Sequence, residues 1–132
     1  MISFEQAYSR ILTDTKQLLD VENLPLTEVL GRVIAEDQCS AIDVPGYNNS
    51  AMDGYAFRFE DINQPLTIAD EIPAGETKTV NINPTQAVRI FTGANVPDSC
   101  DTVVMQELTE IVDGKLTVKD AGLKLGGNIR FK

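Results

Sequence analysis

Short β-prone runs, separated by Pro, Gly and Asn, occupy most of the chain after Phe59 and limit what it can fold into. Strand-favouring residues bounded by turn residues are typical of a sheet with many short strands rather than of long helices. Asp113-Gly114 stands between two such runs and predicts a β-hairpin that joins residues 110–112 to residues 115–118. Predicted strands elsewhere cover residues 33–40, 55–59, 66–69, 78–82, 87–91 and 102–105.

The first part of the chain has a helical period instead. Apolar residues recur every three or four positions between residues 4 and 19, which predicts one amphipathic helix over that range. Ser3 and Gln6 form a capping-box pattern at its start. Thr27 is the predicted cap of a second, short helix that ends at Gly31. The fold class that follows is α+β, with an N-terminal helical segment followed by an irregular, mainly antiparallel β-domain.

Two loops beside predicted strands carry compact polar side chains. Asp53 lies in a turn-rich stretch just before one strand, and Thr92-Gly93-Ala94 directly follows another. Loops at the end of a strand often carry chemistry, because the strand fixes where their polar groups lie. We therefore treat both loops as candidate functional sites.

Each of these loops has a structural and a functional interpretation. A turn aspartate such as Asp53 commonly accepts hydrogen bonds from nearby N–H groups, but its carboxylate is also suited to binding Mg²⁺ through water or to orienting a water molecule. The Ser50 hydroxyl is equally suited to local backbone bonds. Thr92-Gly93-Ala94 is typical of a strand-ending turn, and it also offers a hydroxyl and N–H groups to a small oxyanion such as phosphate. The residues alone leave both interpretations open.

Charge and cysteine content argue against several classes of function. The 132 residues include 11 Lys and Arg against 20 Asp and Glu, a formal net charge of −9, which argues against nucleic acid or an anionic membrane as partner. Histidine is absent and Cys39 lies far from Cys100, which argues against a zinc site or a His-dependent triad. Neither a signal-peptide pattern nor a membrane-spanning run is present, so we expect a cytoplasmic protein with reduced thiols.

Four short blocks, at residues 49–56, 89–94, 101–107 and 127–130, occur in the order found in one enzyme family. They are Asn-Ser-Ala-Met-Asp-Gly-Tyr-Ala, Arg-Ile-Phe-Thr-Gly-Ala, Asp-Thr-Val-Val-Met-Gln-Glu and Gly-Asn-Ile-Arg. With these blocks the whole chain resembles the N-terminal part of the molybdopterin molybdenumtransferase family, the MoeA and gephyrin E-domain proteins. Family enzymes continue into an α/β domain that binds the pterin and then into a small β-domain.

The resemblance implies roles for individual residues. It places Asp53 and Thr92 on an active-site aspartate and threonine, which makes them the expected catalytic residues, with Asp53 also contacting a metal through water. The other implied site residues are Ser50, Gly93, Ala94 and Arg130 for substrate binding, and Gln106 and Glu107 for support of the reacting groups.

The sequence departs from the family at two positions. Asn48 stands where the family usually has Asp, and Asn95 stands where the family favours a small residue or proline. Because Asn48 removes one possible anionic ligand, it weakens the case that this loop alone holds a metal.

The activity implied by the resemblance is insertion of molybdenum, from molybdate, into the dithiolene of adenylated molybdopterin, with release of AMP in a Mg²⁺-dependent step. Both substrates are anionic, so their site needs cations or N–H donors that this acidic chain supplies only in part. The resemblance further implies a homodimer, in which this chain forms one wall of a site completed by the pterin-binding domain of the other subunit.

The implied domain organisation is discontinuous. Residues 1–44 belong to a helical domain that is completed by about residues 121–132 and by downstream segments. Residues 45–120 form the β-rich domain that carries both motif loops.

Two other classes of function stay open. One is a non-catalytic dimerisation or interaction module, in which the motif loops are merely structural. The other is an oxyanion-binding domain that acts alone, although the absence of His and a shortage of Lys and Arg near the loops argue against it. A site wall requires Asp53 and Thr92 to meet on one exposed face, and this requirement discriminates between the classes.

Overall fold

The computed structural model describes residues 2–15, 20–76 and 78–132, and the chain divides into two compact units, Met1–Cys39 and Ser40–Lys132. The first unit contains an α-helix, α1, at Phe4–Asp14 and a 3-10 helix at Leu26–Glu28. The strands of the described ranges lie in the second unit. None of the helices placed by the structure is long and apolar enough to cross a membrane.

Helix α1 begins with the predicted capping box and ends earlier than predicted. The Ser3 hydroxyl accepts a hydrogen bond from the Gln6 N–H, and the Gln6 side chain accepts one from the Ser3 N–H. The helix ends at Asp14, and Thr15 is its extended C-cap residue, whose N–H and hydroxyl both donate to the Ile11 carbonyl. The prediction of one helix through residue 19 is therefore wrong at Thr15, while residues 16–19 lie outside the described residues.

Two further predictions for this part of the chain are wrong. The 3-10 helix at Leu26–Glu28 follows Pro25 and has no side-chain cap, so Thr27 does not start a helix. Residues 33–40 form no strand, although they are β-prone. A β-prone run becomes a strand only where another strand pairs with it, and none of the described strands pairs with these residues.

The second unit is built mainly from an antiparallel sheet. Six strands form a sheet in the order β5-β2-β4-β3-β7-β6, and β1 pairs with β8. The β3–β4 pair is parallel, and the other named pairs are antiparallel. This architecture confirms the predicted α+β class. The strands are β1 Asn49–Ser50, β2 Gly54–Phe57, β3 Leu66–Ile72, β4 Gln86–Ile90, β5 Thr102–Met105, β6 Thr109–Val112, β7 Lys115–Val118 and β8 Ile129–Arg130.

The hairpin prediction is confirmed, and one strand prediction is wrong. Strands β6 and β7 turn at Asp113-Gly114, where φ is 50° and 74°, as a two-residue turn with two left-handed positions requires. Residues 78–82 are irregular rather than a strand. Val80 and Ile82 are nevertheless buried in the core cluster on one face of the sheet, and the Ser99 hydroxyl, instead of a neighbouring strand, accepts the Ile82 N–H.

The central strands are buried on both faces. Ala56 and Phe57 are neighbours on β2, yet they belong to two separate apolar clusters, as do Val103 and Val104 on β5. Successive residues of a strand point to opposite faces, so each cluster covers one face of the sheet. This arrangement explains why the central strands lack the apolar–polar alternation of a half-exposed sheet.

Gly54 marks the closest approach of β2 to β5. It pairs with Ile90 on one side and with Met105 on the other. A Cβ at Gly54 would lie 1.8 Å from the Val104 carbonyl oxygen and 2.8 Å from the carbonyl carbon. Because backbone atoms cannot yield as a flexible side chain can, the residue that follows Asp53 has to be glycine.

Gly54→Ala should therefore destabilise the fold severely. We expect a loss of about 3 kcal/mol or more in the free energy of unfolding, at or above the upper end for an overpacked site. Gly46→Ala is the matched control, since its Cβ would meet only the Asp43 carbonyl oxygen at 4.0 Å. It should change the stability by less than about 1 kcal/mol. Urea unfolding of both variants measures the difference, and equal stabilities would contradict the close approach of β2 and β5.

Candidate functional site

Antiparallel pairing of β2 with β4 brings the two motif loops together. Gly54, the first residue of β2, pairs with Ile90, the last residue of β4. The chain therefore enters β2 through Asp53 at the same end of the sheet where it leaves β4 towards Thr92. Both residues are exposed there, although 39 positions separate them in the sequence.

Thr92 holds one oxygen of the Asp53 carboxylate with two hydrogen bonds. Its backbone N–H donates to Oδ1 at 2.8 Å, and its hydroxyl donates to the same oxygen at 2.7 Å. These two bonds, with a smaller contribution from the positive charge of Arg89, hold the pKa of Asp53 below its ordinary value. Asp53 is therefore ionised at neutral pH.

The end of β5 adds a third segment to the cluster. Gln106 follows Met105, the partner of Gly54, and its N–H donates to the Asp53 carbonyl at 3.1 Å. Its side-chain nitrogen donates to Glu107 Oε1 at 3.2 Å. Gln106 and Glu107 lie directly after β5 and begin the 3-10 helix Gln106–Leu108. Gln106 supports the backbone of Asp53 directly.

The sequence reasoning missed Arg89 as a member of this cluster. Its guanidinium lies over two aromatic rings, and its Nη2 donates to Gln106 Oε1 at 2.5 Å. Two signals were present in the sequence. Arg89 opens the block that ends in the Thr-Gly-Ala loop, and Phe91, two residues later, shares its strand face. The expected shortage of Lys and Arg near the motif loops does not hold at this position.

The remaining predicted site residues of the two loops are engaged in the loops' own bonds. Ser50 is fully buried, and its hydroxyl donates to the Met52 carbonyl at 2.5 Å. The Gly93 N–H donates to the Ser50 carbonyl, and the N–H of buried Ala94 donates to another carbonyl of its own loop. The third N–H, that of Thr92, is held by the carboxylate. The loop therefore offers none of these three N–H groups to an oxyanion.

The last predicted residue, Arg130, lies on the strand that pairs with the segment of Ser50. It is exposed on β8 and pairs with Asn49 on β1. The ion pairs found among the described residues do not include it. Asn48, where the family usually has Asp, accepts a hydrogen bond from the Lys132 N–H at 2.9 Å. The structure thus brings Arg89, and not Arg130, against the residues that hold Asp53.

Asp53 does not by itself make a metal site. Within the ranges that the structure describes, no group of three or more His, Cys, Asp or Glu side chains is placed to hold an ion. Mg²⁺ usually keeps several waters and binds through one or two carboxylates together with substrate phosphates. An exposed, ionised Asp53 fits one such contact, through water, and any Mg²⁺ site that includes it takes its other ligands from elsewhere.

Comparison with known proteins places the whole chain in one family. The family model described as "MoeA N-terminal region (domain I and II)" matches residues 2–132. Among solved structures, the molybdopterin biosynthesis moeA protein from Pyrococcus horikoshii OT3 superimposes with a TM-score of 0.71 at 32% identity. The match covers 99% of this chain and 36% of that one.

Curated relatives agree with this result. The molybdopterin molybdenumtransferase of Haemophilus influenzae is 41% identical over 123 residues, which cover 91% of this chain and 30% of the relative. That of Nostoc sp. is 47% identical over 97 residues, which cover 68% of this chain and 22% of the relative. The chain therefore matches less than a third of either relative. In both sequence and fold, this chain belongs to the MoeA family and corresponds to its N-terminal region.

Proposed function

We propose that this chain is the N-terminal part of a molybdopterin molybdenumtransferase, which inserts molybdenum from molybdate into adenylated molybdopterin and releases AMP. The observation that carries the proposal is the meeting of Asp53 and Thr92 on one exposed face, joined by bonds of 2.7 and 2.8 Å. A site wall requires this meeting. The activity is assigned to the complete enzyme, because the chain spans less than a third of its named relatives.

Within the proposal, Asp53 accepts hydrogen bonds at the reacting centre. Thr92 binds Oδ1 of the carboxylate with two hydrogen bonds. These bonds fix the orientation of the whole carboxylate and therefore the position of its other oxygen, Oδ2. The lowered pKa keeps Asp53 ionised, which suits it to orient a water molecule rather than to donate a proton. Mg²⁺, when bound, supplies charge neutralisation for the phosphate of the leaving AMP.

The charges near Asp53 support a site shared between subunits. Both substrates are anionic, whereas the chain carries a formal net charge of −9. The guanidinium of Arg89 is already committed to protein acceptors, and so are the N–H groups of residues 92–94. We therefore assign most of the substrate binding to the pterin-binding domain of the other subunit of a cytoplasmic homodimer. Gly93, Ala94 and Ser50 shape this wall, and exposed Arg130 is the proposed contact for a substrate phosphate.

We also propose that residues 1–44 belong to a helical domain completed by about residues 121–132 and by further segments of the enzyme. Residues 45–120 would form the β-rich domain that carries both loops. Helix α1 supports this division, since none of its residues is buried and its apolar stripe is available for packing.

A second candidate function is a non-catalytic dimerisation or interaction module. It is favoured by the observation that the polar groups of Ser50, Gly93 and Ala94 form hydrogen bonds within the loops and are not available to a ligand. In that case the Asp53–Thr92 pair only ties two loops together. The same observation argues against an oxyanion-binding domain that acts alone, because the required N–H donors are occupied.

The 132-residue chain alone should be catalytically silent. Its described residues supply one wall of the proposed site, without the pterin and AMP contacts. Incubation of the purified chain with molybdate, Mg²⁺ and adenylated molybdopterin, followed by an assay for AMP, measures this. Release of AMP above the protein-free rate would refute the shared-site proposal.

Asp53→Asn in the complete enzyme should keep the fold and lose activity. The amide retains the shape and an acceptor oxygen for Thr92, so the melting temperature should hold. Turnover should fall by roughly ten- to a thousandfold, on the order of 1.4–4 kcal/mol, as for loss of one charged active-site group. Turnover and melting temperature are measured on one preparation.

Asp113→Asn is the matched control for that experiment. It makes the same charge change in the exposed hairpin turn, at a φ of 50° that Asn tolerates. It should leave both turnover and melting temperature unchanged. Full turnover by a well-folded Asp53→Asn enzyme would instead favour the interaction module.

Thr92→Val and Thr92→Ser test the hydroxyl of Thr92. Val removes one of the two bonds to Asp53 Oδ1, whereas Ser retains it. The Val variant should lower kcat by about tenfold or more and move the pKa of Asp53 up towards its ordinary value. The Ser variant should stay near wild type in both. Equal kcat and equal Asp53 titration in the two variants would remove the hydroxyl from the proposed site.

A further inference from the structure

The guanidinium of Arg89 contacts two aromatic rings and two hydrogen-bond acceptors. Its central carbon lies 5.1 Å from the ring centroid of Tyr55 and 4.8 Å from that of Phe91. Along the edge, Nη1 donates to the Gly54 carbonyl at 3.1 Å and Nη2 donates to Gln106 Oε1 at 2.5 Å. Arg89 is therefore confined by two rings and two acceptors.

Both acceptors belong to segments that hold the backbone of Asp53. The Gly54 carbonyl is that of the next residue along the chain, and the Gln106 N–H donates to the Asp53 carbonyl at 3.1 Å. Arg89 thus links the segment that carries Asp53 to the segment that supports it. Thr92 holds the carboxylate of the same residue from the third segment.

Simple surface packing does not account for this arrangement. Stacking on aromatic rings is common for arginine and explains the contacts with Tyr55 and Phe91. It does not explain why the remaining donors meet two acceptors in the two segments that hold the backbone of Asp53. A planar fork of N–H donors can satisfy both acceptors at once, whereas the single ammonium of lysine cannot reproduce that geometry.

We infer that Arg89 is a positioning residue for Asp53, which it fixes through Gly54 and Gln106 while placing a positive charge beside the carboxylate. The consequence for turnover rests on the proposed function. The positioning itself does not, because it is a property of the cluster without substrate.

NMR titration of the 132-residue chain tests the positioning. The reporters are the Asp53 carboxyl carbon and the Thr92 N–H, which is bonded to Oδ1. In Arg89→Met, Asp53 should titrate at higher pH than in wild type, since the charge that helps to lower its pKa is gone. The change in the Thr92 N–H shift on ionisation should shrink as the bond loosens. An unaltered response of the Thr92 N–H would overturn the inference, whatever the Asp53 carboxyl carbon shows.

The other carboxylates near this guanidinium are followed as separate signals in the same titration. Glu71 is aligned with Arg89 on the neighbouring strand β3, and Glu107 accepts the side-chain N–H of Gln106. Arg89→Lys retains the charge without the fork. It should therefore leave the Asp53 titration closer to wild type than Arg89→Met does, while still weakening the Thr92 N–H response. A Lys variant identical to wild type in both reporters would contradict positioning by the fork.

Gln106→Leu keeps the inference testable if Arg89→Met does not fold. It removes one acceptor of Arg89 but leaves the N–H of residue 106 and all charges in place. Hydrogen exchange of that N–H should accelerate by about tenfold or more, since the segment is no longer tied to the guanidinium. Gln64→Leu, an exposed substitution outside the cluster, is the matched control and should leave the exchange unchanged. Equal exchange in the two variants would overturn the inference.

Turnover of the complete enzyme adds a readout that distinguishes positioning from binding. Arg89→Lys should lower kcat by about tenfold with little change in KM for molybdate, because Arg89 acts through Asp53. A raised KM with unchanged kcat would make Arg89 a binding residue and refute positioning. Failure of the proposed function would be seen separately, as full turnover by Asp53→Asn, and the NMR titration would still decide the role of Arg89.

Discussion

The close approach of β2 to β5 at Gly54 is the constraint on which the site depends. Because residue 54 has no Cβ, β2 can pair on one side with β4 and on the other with β5. Three chain segments then reach the same end of the sheet, and they carry Asp53, Thr92 and Gln106. The glycine of the Met-Asp-Gly sequence is therefore required by backbone packing. Because Gly54 is fixed between β4 and β5, the position of the adjacent Asp53 is fixed as well.

The hydrogen bonds and the charge around Asp53 also determine its protonation state. A carboxylate that lies beside anionic substrates is driven towards protonation, since a nearby negative charge raises its pKa. Two hydrogen bonds from Thr92 and the charge of Arg89 act in the opposite direction. Asp53 can thus stay ionised without help from the rest of the chain, whose formal net charge of −9 has the wrong sign.

How well the sequence predicted a feature depends on how far apart in the chain the interacting residues lie. The Asp113-Gly114 turn was predictable because its geometry is set by two adjacent residues. The helix end was missed because the apolar period of the sequence continues past Thr15 to Leu18 and Leu19. The strand expected at residues 33–40 does not form, because none of the described strands pairs with these residues. Family motifs pointed to Asp53, but the role of Arg89 depends on an acceptor 35 residues away, which only the strand pairing reveals.

The contacts that assemble the site span long stretches of chain. Asp53 and Thr92 are 39 residues apart, and Arg89 lies 35 residues from Gly54 and 17 from Gln106. Closing such long loops costs chain entropy, and only the contacts of the assembled sheet offset this cost. The site therefore cannot form from any short segment of the chain before the sheet itself forms. The site is therefore as cooperative as β2, β4 and β5 themselves. A substitution that melts these central strands, however distant from the two loops, therefore abolishes the site as well.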